Sequence, residues 1–202
     1  WQIALDANEN VYTTGQFYGT VDFNPNKEIF KINSVSITDA FILKLNKDGK
    51  FVWAKSFGGT GTEIGNAITI CKSGNIYSTG SFSKTADFNL GFEPHYLTST
   101  GSGAGGDVFI AKMDSSGNLI WVKGFGGRGT DLGFSVSVDT SENVYTTGFF
   151  DGATDANPGS DIYNLSPVGR DDIFILKLKG CSFNKQPLDQ MVKLDNKGFF
   201  TT

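Results

Sequence analysis

Apolar and polar residues alternate along most of this chain, in short runs that are interrupted by Gly, Asn and Asp. In the run FILKL, for example, a period of two places Phe41, Leu43 and Leu45 on one face, with Ile42 and Lys44 on the other. We find no helical periodicity of useful length. The pattern therefore predicts an all-β protein made of many short strands.

Three series of similar segments recur in constant order. The first series is ENVYTTGQF (9–17), GNIYSTGSF (74–82) and ENVYTTGFF (142–150), and its tyrosines Tyr12, Tyr77 and Tyr145 lie 65 and 68 residues apart. The second is DAFILKLNKDG (39–49), DVFIAKMDSSG (107–117) and DIFILKLKG (172–180). The third is KFVWAKSFGGTGTE (50–63), which returns as NLIWVKGFGGRGTD (118–131). The chain therefore contains an internal repeat of 65–68 residues.

Each copy divides into four short strands, and a tight Asp-Gly or Ser-Gly turn joins the third to the fourth. Four antiparallel strands repeated in this way predict the blades of a β-propeller. We place blade 1 at about 1–57, blade 2 at about 65–125 and blade 3 at about 133–180. Because a ring usually has about four to eight blades, we expect this propeller to be completed by other blades of the same protein or by a partner chain.

The chain begins within the repeat pattern and departs from it near its end. The first residue, Trp1, already lies inside a strand pattern, so we expect the chain to be a piece of something longer. Residues 181–202 form a divergent tail, in which GCSFNKQPLDQ (180–190) lacks the Trp and Gly-Gly of a fourth strand. MVKLDNKGFFTT (191–202) resembles the first two strands of another copy, so the tail is expected to pair beside blade 3, to begin a fourth blade or to act as a cap.

Composition narrows the function classes. The chain has 202 residues, of which 18 are Phe and 26 are Gly, and its formal charge is −4 with a pI near 4.9. Its Lys and Arg residues are scattered singly and form no basic stripe, so we expect no nucleic-acid partner. No apolar run approaches the ~18 residues of a membrane span. The two cysteines, Cys71 and Cys181, do not decide the compartment.

The motifs resemble the long β-propeller repeat often called the SBBP family. The similarity is carried by GDVFIAKMDSSGNLIWVKGFGG (106–127) followed by FSVSVDTSENVYTTGFF (134–150), and it covers about residues 1–180. The form with VDFNP between strands (21–25) is similar to repeats in large exported proteins of gliding Gram-negative bacteria. The resemblance implies a propeller in an extracellular or cell-surface setting, reached through type 9 secretion, and it transfers no catalytic residue.

An acidic insert separates the second and third strands of each copy. Its three versions are DFNPNKEIFKI (22–32), DFNLGFEPHYL (87–97) and DANPGSDIYNL (155–165). Each begins Asp-x-Asn, which favours a turn shaped by side-chain hydrogen bonds to the local backbone. The alternative is a Ca²⁺ site, and its best candidate ligands are Asp151, Asp155, Asn157 and Asp161 of the third copy, helped by backbone carbonyls.

Other notable residues also have structural interpretations. His95, the only histidine, aligns with Phe30 and Tyr163 and so occupies an aromatic position. Cys71 stands where the other copies have Asp6 and Asp139, and we interpret it as a tolerated small residue. Three recurring mid-strand lysines are either solvent-exposed or paired with a recurring aspartate, which would lock neighbouring strands together. The lysines are Lys44, Lys112 and Lys177, and the aspartates are Asp39, Asp107 and Asp172.

Two function classes remain. The first is a non-catalytic extracellular or cell-surface module that acts as a scaffold, adhesion or ligand-binding unit of a larger exported protein, with a surface protein or a glycan as its partner. The second is a propeller enzyme, a hydrolase or lyase, whose central active site is completed by blades absent from this chain. We favour the first class and expect no catalytic residue, because the positions that break the repeat form no plausible catalytic set.

Overall fold

The strands and loops are taken from a computed structural model, which describes residues 1–89, 93–101, 106–159 and 161–180 and the backbone of strand 189–193. All regular secondary structure in these ranges is β-strand. The described residues contain no helix that is long and apolar enough to cross a membrane.

The strands form three blades, each with four main strands and a two-stranded insert after the second. Blade 1 contains β1 (Gln2–Leu5), β2 (Val11–Phe17), β3 (Thr20–Asp22), β4 (Lys31–Asn33), β5 (Asp39–Leu45) and β6 (Phe51–Gly59). Blade 2 contains β7 (Glu63–Ile70), β8 (Ile76–Phe82), β9 (Thr85–Asp87), β10 (Tyr96–Thr98), β11 (Asp107–Met113) and β12 (Leu119–Gly127). Blade 3 contains β13 (Asp131–Val138), β14 (Val144–Asp151), β15 (Thr154–Asp155), β16 (Asn164–Leu165), β17 (Asp171–Leu178) and β18 (Asp189–Lys193).

The main strands of each blade pair antiparallel with their neighbours in chain order, as β1-β2-β5-β6, β7-β8-β11-β12 and β13-β14-β17-β18. The repeated tryptophans take equivalent places, since Trp53 lies opposite Lys44 and Trp121 lies opposite Lys112. The prediction of an all-β chain of four-stranded propeller blades is confirmed. Strand β18 lies inside the segment that was expected to be a divergent tail, and it pairs with β17 as the fourth strand of blade 3.

The insert hairpins connect neighbouring blades. β9 belongs to blade 2 in sequence, yet it pairs with β6 of blade 1, with Asp87 opposite Gly58 and Ala86 opposite Gly59. In the same way β15 of blade 3 pairs with β12 of blade 2. The insert of blade 1, β3 and β4, forms a separate two-stranded sheet.

Glycine is required where the hairpin approaches. A Cβ added at Gly59 would lie 2.0 Å from the carbonyl oxygen of Thr85, and one at Gly127 would lie 2.1 Å from that of Ala153. Any side chain at these positions would therefore push the insert away from the neighbouring blade. This contact explains the second glycine of each recurring Gly-Gly, whereas a Cβ at the first, Gly58 or Gly126, would meet the side chain of Asp39 or Asp107.

The apolar core lies between consecutive blades. One cluster joins Tyr12 and Ile42 of blade 1 to Ile68 and Phe109 of blade 2. A second cluster joins blade 2 to blade 3 through residues that include Tyr77, Val108, Ile110, Val136 and Phe174. Burial of these side chains supplies the main driving force for stacking the blades, at roughly 25 cal/mol per Å² of apolar surface removed from water.

Candidate functional site

The turns between the first and second strands of blades 1 and 3 are each organised by one aspartate. In blade 1, Oδ1 of Asp6 accepts the backbone N–H groups of Asn8 and Asn10, and its Oδ2 accepts the side-chain amide of Asn10 at 2.8 Å and the Tyr12 hydroxyl at 3.2 Å. Asp139 makes the same set of bonds in blade 3. Burial alone would raise the pKa of Asp6, but these hydrogen bonds outweigh it and lower the pKa.

The three recurring lysines lie over tyrosine rings on the adjacent strand. Lys44 Nζ is 4.9 Å from the ring centroid of Tyr12. The corresponding distances are both 5.2 Å for the pairs Lys112–Tyr77 and Lys177–Tyr145. All three lysines are partly buried and make cation–π contacts rather than extending freely into solvent.

The alternative in which these lysines pair with the recurring aspartates is not observed, since Lys112 pairs with Glu142 and Lys44 donates to the Ser115 carbonyl. Each aspartate precedes its lysine by five residues on the same strand, which places the two roughly 17 Å apart. Asp39 instead accepts the backbone N–H of Val35, and Asp107 accepts that of Thr100.

Blade 2 lacks the organising aspartate, and a glutamate of blade 3 supplies the missing carboxylate. Glu142 accepts hydrogen bonds from Ser73 at 2.6 Å, from Lys112 at 2.8 Å and from the Tyr77 hydroxyl at 2.9 Å. The Cys71 thiol also lies 3.6 Å from Glu142. The ion pair with Lys112, together with the other hydrogen bonds, lowers the pKa of Glu142 to about 2.

Cys71 is therefore more than a tolerated small residue. It stands where the other two blades have an aspartate, and the Glu142 carboxylate of blade 3 takes the place of that missing aspartate. Sequence reasoning missed Glu142. A signal for it was present, since the middle copy alone lacks the aspartate and the turn of the following copy carries a glutamate.

Two clefts open at this turn end of the blades, and they share the segment 71–73. One lies between blades 1 and 2, has a volume of about 290 Å³ and is lined in part by Asp6, Asn10 and Lys44. The other lies between blades 2 and 3, also has a volume of about 290 Å³ and is lined in part by Val138 and Glu142. Both clefts are lined by charged side chains, and the first is also lined by the amides of Asn8 and Asn10, which suits polar recognition.

The opposite end of each joint contains a pair of buried acids. At the joint of blades 1 and 2, Asp39 and Glu63 are both fully buried. Burial raises the pKa of Asp39 to about 6. Burial and the nearby Asp39 charge raise the pKa of Glu63 to about 8. The Gly59 N–H donates to Glu63 Oε2 at 3.0 Å, whereas Glu63 Oε1 has no hydrogen-bond partner among the described residues.

The joint of blades 2 and 3 is similar, but both oxygens of its buried Asp131 accept hydrogen bonds. Asp131 accepts the Gly127 N–H at 2.8 Å and the Thr154 hydroxyl at 2.9 Å. Burial is the main cause that raises the pKa of Asp131 to about 6. The residue of blade 2 that corresponds to Thr154 is Ala86, which has no hydroxyl to donate. At 0% exposure, Glu63 and Asp131 are not accessible to a substrate.

The insert aspartates serve turns in all three copies. Oδ1 of each accepts one N–H two residues later and another N–H eight residues later, and the aspartates are Asp22, Asp87 and Asp155. His95 donates the later N–H in the second copy, so its backbone occupies the same position as Phe30 and Tyr163, and its side chain is exposed.

The four candidate Ca²⁺ ligands do not converge as a set. Asp155 and Asn157 accept backbone N–H groups within their own turn, and Asp161 is exposed. Asp151 lies at the end of β14, where its backbone N–H donates to the Thr130 carbonyl. Across the described part of the chain, no group of three or more His, Cys, Asp or Glu side chains is placed to hold a metal ion. Cys181 lies outside the described residues.

The strand order and the stacked joints define the chain as a set of β-propeller blades. Comparison with curated proteins finds similarity to an uncharacterized WD repeat-containing protein of Acanthamoeba polyphaga mimivirus, with 23% identity over 198 residues. The matched region takes in 86% of this chain but 14% of the viral protein, so the chain spans a small part of that relative's length. No protein-family model matches the chain.

Proposed function

We propose that this chain is a non-catalytic β-propeller segment that serves as a scaffold and protein-interaction module of a larger exported protein. The observation that carries the proposal is the burial of equivalent residues in successive blades. Ile68 and Val136 face the preceding blade and are 1% and 5% exposed, whereas the equivalent Ile3 of blade 1 is 65% exposed. At the other end, Ile173 of blade 3 is 48% exposed, whereas its equivalent Val108 is fully buried.

Within the described part of the chain, the faces that form the two internal joints are thus open on the outer sides of blades 1 and 3. Apolar surface of this kind marks interaction sites, and continuity with the two internal joints favours further blades or a partner protein as its cover. The similarity to a WD repeat-containing protein of mimivirus supports the propeller part of this proposal. The repeat motifs support assignment to the SBBP type and a location on the surface of a Gram-negative cell, with a surface protein or a glycan as its further ligand.

The non-catalytic assignment is supported by the way the chain uses its perturbed acids. Glu63 and Asp131 are sealed within the joints, and Glu142 is held by three side chains of the neighbouring blade. The alternative, a hydrolase or lyase with a central site, would draw its catalytic groups from other blades. No observation on the described residues favours it.

Substitution of the open faces tests the proposal. In this chain alone, Ile3→Asp and Ile173→Asp should leave the melting temperature nearly unchanged, because both side chains are already exposed. In the complete polypeptide that contains this chain, each should lower it by several degrees. Ile120→Asp is the matched control, since Ile120 is 51% exposed in a blade with both neighbours present. Equal tolerance of all three substitutions in the complete polypeptide would refute the proposal, and antibody labelling of intact cells tests the surface location.

A further inference from the structure

The insert of blade 1 has an unpaired outer edge where the other two inserts are paired. In blades 2 and 3 the first insert strand adds to the fourth strand of the preceding blade, at its Gly-Gly. Among the described residues, strand β3 pairs with β4 alone. Its residues are correspondingly more accessible, since Asp22 is exposed whereas the equivalent Asp87 is 8% exposed. The outer edge of β3 is therefore equivalent to the edges of β9 and β15 that pair with β6 and β12.

A second, independent feature lies at the turn end of blade 1. Glu9 and Glu142 occupy equivalent turn positions and both have a left-handed backbone, with φ of 61° and 59°. This conformation is uncommon for residues other than glycine, and blade 2 has Gly74 at the same position with φ of 84°. Glu142 uses it to reach back to the preceding blade, whereas the Glu9 carboxylate is exposed and meets no hydrogen-bond partner among the described residues.

At each internal joint, one carboxylate accepts the tyrosine hydroxyl of the earlier blade. At the joint of blades 1 and 2, Asp6 supplies it and blade 2 contributes Gly74. At the joint of blades 2 and 3, Cys71 lacks it and blade 3 contributes Glu142. A second carboxylate beside the first would be disfavoured, because like charges in one site raise each other's cost of ionisation. Glu9 therefore fits a neighbour that lacks an acid at the Asp6 position.

We propose that a further blade of this repeat, ahead of Trp1 in the same polypeptide, covers the open side of blade 1. Its fourth strand ends in an aromatic residue followed by Gly-Gly and accepts β3 as an added strand. This further blade has a non-acidic residue at the position equivalent to Cys71. It also has a Tyr and a Lys at the positions equivalent to Tyr77 and Lys112, and Glu9 contacts both of them. This proposal deepens the proposed function, on which it rests, by naming the partner of one face.

A second copy of the chain does not fit this description. The blade it would offer is blade 3, whose first turn already contains the Asp139 carboxylate. Its fourth strand is Asp189–Lys193, and the residues that follow Lys193 include no Gly-Gly. Both requirements are instead met by blade 2, through Cys71 and the Gly126–Gly127 end of β12.

Blade 2 therefore supplies the test. The test protein carries residues 66–133 ahead of Trp1, so that Trp1 follows Gly133 as Phe134 does in the chain. The matched control carries residues 1–65 ahead of Trp1, which places a second copy of Asp6 next to Glu9. Hydrogen exchange by mass spectrometry reports on residues 2–5 and on β3, and thermal melting reports on Glu9→Gln.

In the protein with the added blade 2, we expect exchange at β3 to slow at least tenfold and residues 2–5 to become protected. Gly127→Val in the added copy should release β3 while residues 2–5 stay protected. Glu9→Gln should lower the melting temperature of this protein by several degrees, should raise it in the control and should have little effect on the chain alone.

Two failures are distinguishable. If residues 2–5 become protected but β3 does not, or if Glu9→Gln acts alike in both extended proteins, this inference is overturned while the proposed function stands. If residues 2–5 stay unprotected in both, the proposed function itself fails at this face. Self-association of the unextended chain with protection of residues 2–5, measured by light scattering and exchange, would assign the face to a second copy and overturn the inference.

Discussion

Replacement of Glu63 by glutamine should remove a pH dependence that the joint of blades 1 and 2 imposes on stability. Glu63 is fully buried beside Asp39, and burial raises its pKa from the ordinary 4.5 to about 8. Because the folded-state pKa lies above the unfolded value, the folded protein binds the proton more tightly. The stability from this group is thus complete below pH 4.5 and is lost as the pH rises through about 8.

The size of the effect follows from linkage. Within this window one carboxyl changes the free energy of unfolding by about 1.4 kcal/mol per pH unit. Between pH 5 and 8 the loss is therefore on the order of 4 kcal/mol. A domain has a total stability of about 5–15 kcal/mol, so the change is a large fraction of the whole. The pKa of Asp39, raised to about 6, adds a loss of the same sign at lower pH.

Urea denaturation, followed by tryptophan fluorescence at pH 5, 6, 7 and 8, measures this dependence. Glu63→Gln preserves an acceptor for the Gly59 N–H and cannot ionise. We expect the variant to match the wild type within about 1 kcal/mol at pH 5 and to exceed it by roughly 3–4 kcal/mol at pH 8. Since the two proteins differ at one position, the comparison cancels the titration of groups that do not interact with Glu63.

Asp131→Asn is the matched control at the joint of blades 2 and 3. The pKa of Asp131 is raised to about 6, so this substitution should flatten the pH dependence between about pH 4 and 6 and leave the range from 7 to 8 unchanged. Parallel pH profiles for the wild type and Glu63→Gln between pH 6 and 8 would refute the argument, because they would mean that Glu63 is already ionised in the folded protein.

Three further predictions concern the contacts between blades and the inserts. Glu142→Gln should lower the free energy of unfolding by about 1.5–3 kcal/mol at neutral pH, through loss of charge-assisted hydrogen bonds; since the pKa of Glu142 is lowered to about 2, the difference from wild type in urea denaturation should vanish as the pH falls toward 2. Gly127→Ala should cost about 1–3 kcal/mol and speed hydrogen exchange at β15, because its Cβ would meet the Ala153 carbonyl; Gly169→Ala, which meets nothing within 4 Å, should be near neutral in both measurements. Asp155→Ala should lower the melting temperature equally with calcium or with chelator, as a turn residue would; a calcium-dependent rise in the wild type that Asp155→Ala abolishes would instead establish the candidate cation site.

Much of the fold is predictable from the sequence because it is repeated. Alternation within FILKL and its equivalents identifies the strands, and three aligned copies of Asp-x-Asn identify the insert turns. These features depend on local hydrogen bonds and on a period of two, both of which the sequence encodes directly. The direction in which the inserts pair does not follow from the same information. A strand such as β9 has two edges, and only the stacking of blades decides that one of them meets the Gly-Gly end of β6.

The contacts that distinguish one joint from another are harder to predict, because each depends on residues about one repeat apart. Position 71 has a cysteine where the other copies have an aspartate, and the carboxylate that replaces this aspartate belongs to Glu142, 71 residues later. Likewise Glu63 lacks the hydroxyl that Thr154 gives Asp131, because Ala86 replaces that threonine in the preceding insert. Comparison of single positions between copies treats Cys71 as a minor deviation. Comparison of joints links Cys71 to Glu142. The tyrosine hydroxyl keeps a carboxylate partner, but in blade 2 that carboxylate comes from the next blade. The contacts at the joints therefore repeat along this chain as the strands of the blades do. For the same reason, Glu9 restricts which residues a blade packed against blade 1 can have at the equivalent positions.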